Sequence, residues 1–292
     1  MKEIIRSPIF YMGNKHKLLP QLLEIFPKNI NTFYDLFGGS GCVTINVEAK
    51  HKIYNDFNPN VTELAKMFKK NDPQELDIYF REQIQKYELP QKSEKNQEAY
   101  KVRVAKYNKL REDYNKSSPR QYKDLFLLSC YSINHLIRFN KNNEFNASNG
   151  NDSYNEKNYE QIVNFHNKMQ DVEIFCKDYK DINIIDEENV FVYVDPPYLN
   201  TEAVYNEKRA YGGWNINNDF ELFAMLEDLD KRGIKFGFSN VFVNRGKLNQ
   251  HLIDWCDKND WLVYHLSRNY NPFSRGNSNN DEVYICNYGG EE

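Results

Sequence analysis

No stretch of about 18 consecutive apolar residues, the length that crosses a bilayer, occurs in this 292-residue chain. Its amino terminus lacks the apolar core of a secretory leader, so neither a membrane span nor a signal peptide is expected, and a reducing cytoplasm is the expected compartment. Cysteine is sparse: Cys42, Cys130, Cys176, Cys256 and Cys286 lie far apart and form no C-x-x-C pair, which argues against a disulfide framework and a zinc site. The six histidines form no H-x-x-x-H pair and have no cysteine nearby, so no metal is expected. A basic excess is missing too. The net charge is −4, which on bulk charge does not favour a polyanionic partner. The charge is unevenly spread, however, with 12 Lys or Arg against 7 Asp or Glu between Arg81 and Asp124. That local excess suits either a solvated helical face or a phosphate-facing surface.

What the chain does contain is a set of apolar β-type runs that end in acids. Val190-Phe191-Val192-Tyr193-Val194 leads directly into Asp195-Pro196-Pro197-Tyr198. Five β-branched or aromatic residues in a row suit a strand covered on both faces, and Pro196 cannot extend the ladder, so the strand stops with Asp195 at its carboxyl end. In open α/β sheets this is where ligands bind. A carboxylate beside a proline carbonyl makes a purely accepting pair, and Tyr198 adds a flat face. The combination suits a planar group bearing NH2, whose nitrogen gains positive charge when it attacks an electrophile. A strand end with a Pro-Pro turn capped by Asp195 is the alternative.

A second run, Thr32-Phe33-Tyr34-Asp35-Leu36-Phe37, is followed by Gly38-Gly39-Ser40-Gly41 and a helical stretch from Cys42 to Glu48. Glycines allow positive φ and let a ligand lie against the backbone, and the first N–H groups of a helix lack intrahelical partners. The next short strand, Lys52 to Asn55, ends at Asp56, at about the spacing where an acid reaches ribose hydroxyls in dinucleotide folds. The dinucleotide fingerprint itself is broken, because Thr44 stands where its third glycine belongs. A nucleoside without a pyrophosphate is therefore the better match.

The order of signals predicts an α/β domain interrupted by an insertion. Residues 1–70 carry the glycine turn and a helix from Pro59 to Lys70, and 71–165 are helix-permissive, with a buried helix at Asp124–Tyr131. Residues 166–292 return to strands at Val172–Cys176, Val190–Asp195, Ile234–Ser239, Trp261–Ser267 and Glu282–Tyr288.

Three segments occur here in the same order as in the Dam-type DNA adenine-N6 methyltransferases: Ser7-Pro8-Ile9-Phe10-Tyr11-Met12-Gly13-Asn14-Lys15, Asp35-Leu36-Phe37-Gly38-Gly39-Ser40-Gly41, and Asp195-Pro196-Pro197-Tyr198. A fourth, Arg138-Phe139-Asn140-Lys141-Asn142-Asn143-Glu144-Phe145-Asn146, resembles that family's DNA-reading hairpin. The resemblance implies a Rossmann-like methyltransferase sheet with an inserted, mainly helical DNA-recognition subdomain carrying a β-hairpin. It also implies transfer of a methyl group from S-adenosyl-L-methionine to adenine N6 in duplex DNA, and a prokaryotic or phage origin. By the same resemblance Tyr11, Lys15, Asp35, Phe37, Gly39, Ser40, Gly41, Asp56, Asp178 and Tyr179 would bind the cofactor. Asp195, Pro196, Pro197 and Tyr198 would hold the target amine, and Asn134, Arg138, Asn140 and Asn146 would meet DNA. The segment from Leu199 to Asn218, with Tyr205, Tyr211, Gly212, Gly213 and Trp214, would wall the pocket around an extruded base. A cognate restriction endonuclease is a candidate partner.

The sequence departs from the family at Phe10, where members that read GATC carry a guanine-contacting lysine, so a different short site is expected. The Asp-Pro-Pro-Tyr chemistry alone also suits an RNA base, cytosine N4 or a protein glutamine, and a non-catalytic DNA-binding regulator is a further reading. The hairpin and the order of motifs favour adenine in DNA, and the intact Asp195 favours catalysis.

Overall fold

The computed structural model describes residues 3–11, 13–91, 96–199, 213–267 and 280–289. Its centre is an eight-stranded sheet. In chain order the strands are β1 (Thr32–Asp35), β2 (His51–Asn55), β3 (Val172–Phe175), β4 (Val190–Val194), β5 (Lys235–Asn244), β6 (Lys247–Leu248), β7 (Leu262–Leu266) and β8 (Asn280–Cys286). They lie in the order β3-β2-β1-β4-β5-β8-β7, with β6 folded back on β5. From β3 to β5 all pairings are parallel, and β8 runs antiparallel between β5 and β7. The chain winds outward from β1 to β3 and then returns to β4 on the other side. The winding therefore reverses between β1 and β4, the point at which a doubly wound sheet opens a ligand crevice beyond its strand ends.

Every residue of β1 and β4 is buried, as the unbroken apolar character of β4 and the central place of both strands require. On one face Tyr34, Val192 and Val194 pack with Leu222, Leu226 and Trp255, and on the other Phe33, Phe191 and Tyr193 pack with Leu19 and Leu22. The latter leucines belong to helix α1 (Leu19–Ile25). Helix α3 (Pro59–Lys70) starts at an Asn58 cap and has proline in its first turn, matching the expected span. The helix after the glycine turn, α2 (Cys42–Asn46), is shorter than its sequence suggests, because Val47 turns extended at φ −73° and ψ 139°. So short a helix carries little macrodipole, in keeping with a turn not built for a pyrophosphate.

Two glycines in the sheet region are fixed by neighbouring tyrosines. A Cβ on Gly38 would lie 2.2 Å from the Tyr54 ring, and one on Gly237 would lie 2.0 Å from the Tyr284 hydroxyl. Tyr54 also donates to the Gly39 carbonyl at 2.7 Å, so the ring that fills the glycine's space also holds the turn.

Between α3 and β3 the chain builds α4 (Pro73–Lys86), α5 (Gln97–Lys116), α6 (Tyr122–Tyr131) and α7 (Glu156–Met169). Leu125 to Leu128 are all buried, so α6 is enclosed on every side, and Phe126 meets Phe68 of α3 edge-on at 4.9 Å. After α6 comes a 3-10 turn, Ile133–His135, in which Asn134 and His135 are both left-handed. A tight hairpin follows, closed by one antiparallel bridge between Phe139 and Phe145.

The returning strand is stitched to this turn by the Ser132–Asn149 bridge and by Ile133 N–H on the Ser148 carbonyl at 2.9 Å. Behind it sits Arg103, buried, which donates to the carbonyls of Gly150 (2.9 Å), Pro90 (3.1 Å) and Asp152. Removing the guanidinium leaves several carbonyls short of a donor in a site closed to water. Arg103→Met should therefore destabilise the fold by about 2–4 kcal/mol, read as a lower urea midpoint, whereas substitution of exposed Lys101 should change it little.

Candidate active site

The register of the sheet brings three carboxylates together. Asp35 is paired with Tyr54 on one side and with Tyr193 on the other, and Asp56 and Asp195 each lie two residues beyond those partners. Side chains two apart on a strand share a face. All three acids consequently line one cavity, of about 240 Å³, at the carboxyl ends of the strands.

Asp35 is the most enclosed of the three. One of its oxygens accepts from the Thr44 hydroxyl at 2.6 Å, while the other is buried without a hydrogen-bond partner. Its carboxyl is raised to about 7, by burial first and by the neighbouring charges of Asp195 and Asp56, with the Thr44 bond opposing them. An acid in this state welcomes a cationic or donating ligand group.

The glycine turn lies between these acids. Gly39 and Gly41 have positive φ, at 50° and 72°. The Gly39 N–H donates to Asp56 at 2.8 Å, and the other Asp56 oxygen accepts from the Asn58 N–H at 2.8 Å. Ser40 is buried within the turn and faces the cavity, and Tyr11 covers Gly39, close enough that a Cβ there would meet its ring at 3.0 Å.

The amino-terminal segment also delivers the nearest cation. Lys15, buried, puts its ammonium 2.5 Å from Asp195 Oδ2 and 5.3 Å from the centre of the Tyr198 ring. The Tyr198 hydroxyl donates to Asp195 Oδ1 at 3.1 Å. Burial raises the Asp195 carboxyl, and Lys15 and Tyr198 hold it down. The sequence places Lys15 near the cofactor. Its pairing with Asp195, 180 positions away, is visible only in three dimensions.

Phe37 and Tyr179 pack with ring centres 5.1 Å apart, and Asp178 caps the short turn that Tyr179 begins by accepting from the Lys180 N–H at 3.1 Å. Two further residues of the cavity, and one behind it, escape a motif reading. Phe57, half exposed, presents an apolar ring at its mouth. Asn55, fully buried, donates to the Leu36 and Lys177 carbonyls at 3.0 and 3.1 Å, tying together the ends of β1 and β3. Thr44 orients Asp35. An asparagine at the end of an apolar strand and an aromatic after a strand-end acid were the available signals. Of the expected pocket wall, residues 200–212 lie outside the described residues, while Trp214 lines the cavity.

The sequence matches the D12 class N6 adenine-specific DNA methyltransferase family over residues 11–269. The chain belongs to this family. It is 37% identical to the modification methylase StsI of Streptococcus sanguinis over 98% of its own length and 43% of that protein's. It is 34% identical to the type II methyltransferase M.FokI of Planomicrobium okeanokoites over 97% of its own length and 43% of the relative's. The chain thus spans less than half the length of these two proteins. With the DNA adenine methylase of Escherichia coli K12 the identity is 26%, over 80% of each chain.

The turn after α6 and the hairpin that follows it carry the four residues that the family resemblance would set against DNA. Asn134 stands exposed at its tip. Arg138 is held in one orientation, its Nε donating to Asn146 Oδ1 at 2.9 Å and its Nη2 to the Asn146 carbonyl at 2.7 Å. Asn140 folds the hairpin, accepting from the N–H groups of Asn142 and Glu144 at 2.9 and 3.0 Å and donating to the Glu144 carboxylate at 2.8 Å. The Asn140 and Asn146 amides therefore shape the hairpin itself, Arg138 is half-buried against Asn146, and Asn134 is exposed on the turn before it. Phe10 stacks on His135 with ring centres 3.9 Å apart, joining the amino-terminal segment to this turn. Among the described residues no helix is long and apolar enough to cross a membrane.

Asp35 gives the site a pH signature. In the unfolded chain its carboxyl ionises near 3.8, and in the fold near 7. Between those values the folded protein keeps a proton that the unfolded chain has released, so this residue's contribution to stability falls as pH rises and levels off above about 7. Asp35→Asn should remove a slope of up to about 1.4 kcal/mol per pH unit across that window, checked by urea unfolding at intervals from pH 4 to 8.

Proposed function

We propose that this chain transfers a methyl group from S-adenosyl-L-methionine to N6 of adenine in duplex DNA, after the base is extruded from the stack. The observation that carries this reading is the Asp195-Pro196-Pro197-Tyr198 segment facing the same cavity as Asp35, Asp56 and the Gly38–Gly41 turn. The cofactor's groups match what lines that cavity. The unpartnered Asp35 oxygen and its neighbouring acids suit a cation, Asp56 suits ribose hydroxyls, and the Phe57 and Tyr179 rings suit a purine. When bound, S-adenosyl-L-methionine supplies an electrophilic methyl group on a sulfonium.

The chain's own part is to hold the attacking amine. Asp195 and the Pro196 carbonyl accept its two hydrogens and stabilise the positive charge that develops as the new N–C bond forms, and the Tyr198 ring stacks on the base. Lys15 favours the ionised form of Asp195 against the effect of burial, and the incoming amine then shares the carboxylate with it. We assign residues 71–165 to target recognition, with Asn134 and Arg138 reaching base edges. Phe10 in the position of a guanine-reading lysine favours a site other than GATC. The modification-methylase and type II names of the relatives make a restriction endonuclease the partner to look for.

Single-turnover methylation of duplex DNA, read as N6-methyladenine, tests this reading. Asp195→Asn should lower the rate at least about 10²-fold while cofactor affinity changes much less, and near-normal turnover would sink the assignment. Tyr198→Ala should also slow transfer, and Tyr198→Phe, which keeps the ring, should slow it less. Gly39→Val, strained at positive φ and crowded by Tyr11, should weaken binding of S-adenosyl-L-homocysteine in calorimetry. Arg138→Ala should cost about 1–3 kcal/mol and relax discrimination at one base pair, whereas uniform weakening on all sequences would assign it to phosphate.

A further inference from the structure

Helix α8 (Ile216–Lys231) and helix α9 (Gln250–Asn259) flank β5 and carry a buried polar network that none of the roles above uses. Asp219, in the first turn of α8, is 1% exposed. One of its oxygens accepts from the Trp214 indole N–H at 2.6 Å, and the other meets His251 Nε2 at 2.7 Å. Helix capping does not explain it. The Asn215 side chain accepts from the Asn217 N–H at 2.9 Å, and the Asn218 side chain accepts from the Asn215 N–H at 2.9 Å, completing the cap without Asp219. A buried carboxylate is costly to desolvate, and an apolar residue packed between two helices would hold them at less cost. What the carboxylate adds is direction.

That direction fixes Trp214. The indole stands edge-on to Phe37 at 5.6 Å and tilted to Tyr179 at 6.1 Å. Three rings from three separated segments, after β1, after β3 and before α8, thus make one aromatic wall of the cavity. Only the indole among them has its polar atom bonded into the frame. The Tyr179 hydroxyl is buried without a hydrogen-bond partner, and Phe37 has none to bond. His251 is seated in turn against the Phe220 and Phe223 rings, with centres 5.8 and 6.1 Å away.

We propose that Asp219 and His251 are positioning residues for cofactor binding, acting through Trp214. The indole face they set receives the aromatic and cationic parts of S-adenosyl-L-methionine. The inference rests on the cofactor reading above. It adds a fixed aromatic wall whose orientation is governed from outside the pocket.

The chain's three tryptophans give the test an optical readout. Titration with S-adenosyl-L-homocysteine should change the intrinsic fluorescence of the wild-type protein, and Trp214→Phe should abolish most of that change. Asp219→Ala should raise KM for S-adenosyl-L-methionine about 10-fold, the scale of losing a hydrogen bond to a charged group, and leave kcat at saturating cofactor within about 2-fold. Asp219→Asn, which retains an acceptor for the indole and a donor for His251, should restore most of the affinity. In the Trp214→Phe background, Asp219→Ala should have little further effect on KM.

An unchanged KM in Asp219→Ala, or a fall in kcat without a rise in KM, would overturn the proposal. If Asp219→Ala does not fold, Trp214→Phe decides, since it removes the indole N–H together with the five-membered ring that carries it and leaves a smaller ring with no bond to Asp219: KM should rise about 3-fold, and an unchanged KM would overturn the proposal. Failure of the underlying cofactor reading would look different. The wild-type protein itself would then show no saturable binding of S-adenosyl-L-homocysteine by calorimetry.

Discussion

The site depends on a single contact, the Lys15 ammonium on Asp195. Sheet register forces Asp35, Asp56 and Asp195 into one cavity, where burial raises the carboxyls of Asp35 and Asp195, and the neighbouring acids add to the rise at Asp35. A carboxylate that has to accept from an amine must stay charged. Lys15 supplies the opposing charge from a segment outside the sheet, anchored by its own bond to the Gly13 carbonyl at 3.1 Å. The arrangement treats the acids differently. At Asp195 a cation opposes the rise that burial causes, while Asp35 has only a hydroxyl bonded to it and is left near the midpoint of its titration at neutral pH.

Much of this architecture was legible in the sequence, because its signals were local. The apolar run ending at Pro196 specifies a buried central strand whatever surrounds it, and the Asn58-Pro59 start of α3 is a short-range capping signal. The Asp35, Asp56 and Asp195 positions followed from strand ends. What escaped depends on distance. The Lys15–Asp195 pair, the Thr44 bond to Asp35 and the Asn55 link between β1 and β3 each need the fold before the partners meet. The helix after the glycine turn was overestimated because its apolar pattern runs past Val47, where the backbone has already become extended.

The turn after α6 shows the same division. Four candidate DNA-contacting residues share a sequence character, yet the fold separates their tasks. Asn140 and Asn146 satisfy the backbone and the Arg138 guanidinium within the hairpin, and Asn134 stands exposed on the turn before it. Composition marks the hairpin as polar but cannot say which amides complete it. Arg103 and the Ser132–Asn149 bridge brace it from behind, so a segment with a single ladder bridge is held in one shape.

The glycine–tyrosine pairs carry a consequence for how this sequence can drift. At Gly38 any side chain collides with Tyr54, and a smaller residue at 54 would leave a void and release the Gly39 carbonyl. Gly237 and Tyr284 repeat the arrangement on the antiparallel side of the sheet. Neither member of a pair has an acceptable single replacement, so each pair is open only to simultaneous change. Lineages descended from this chain should keep or lose the two residues of a pair together, and at Gly237 and Tyr284, away from the cavity, packing alone would enforce it.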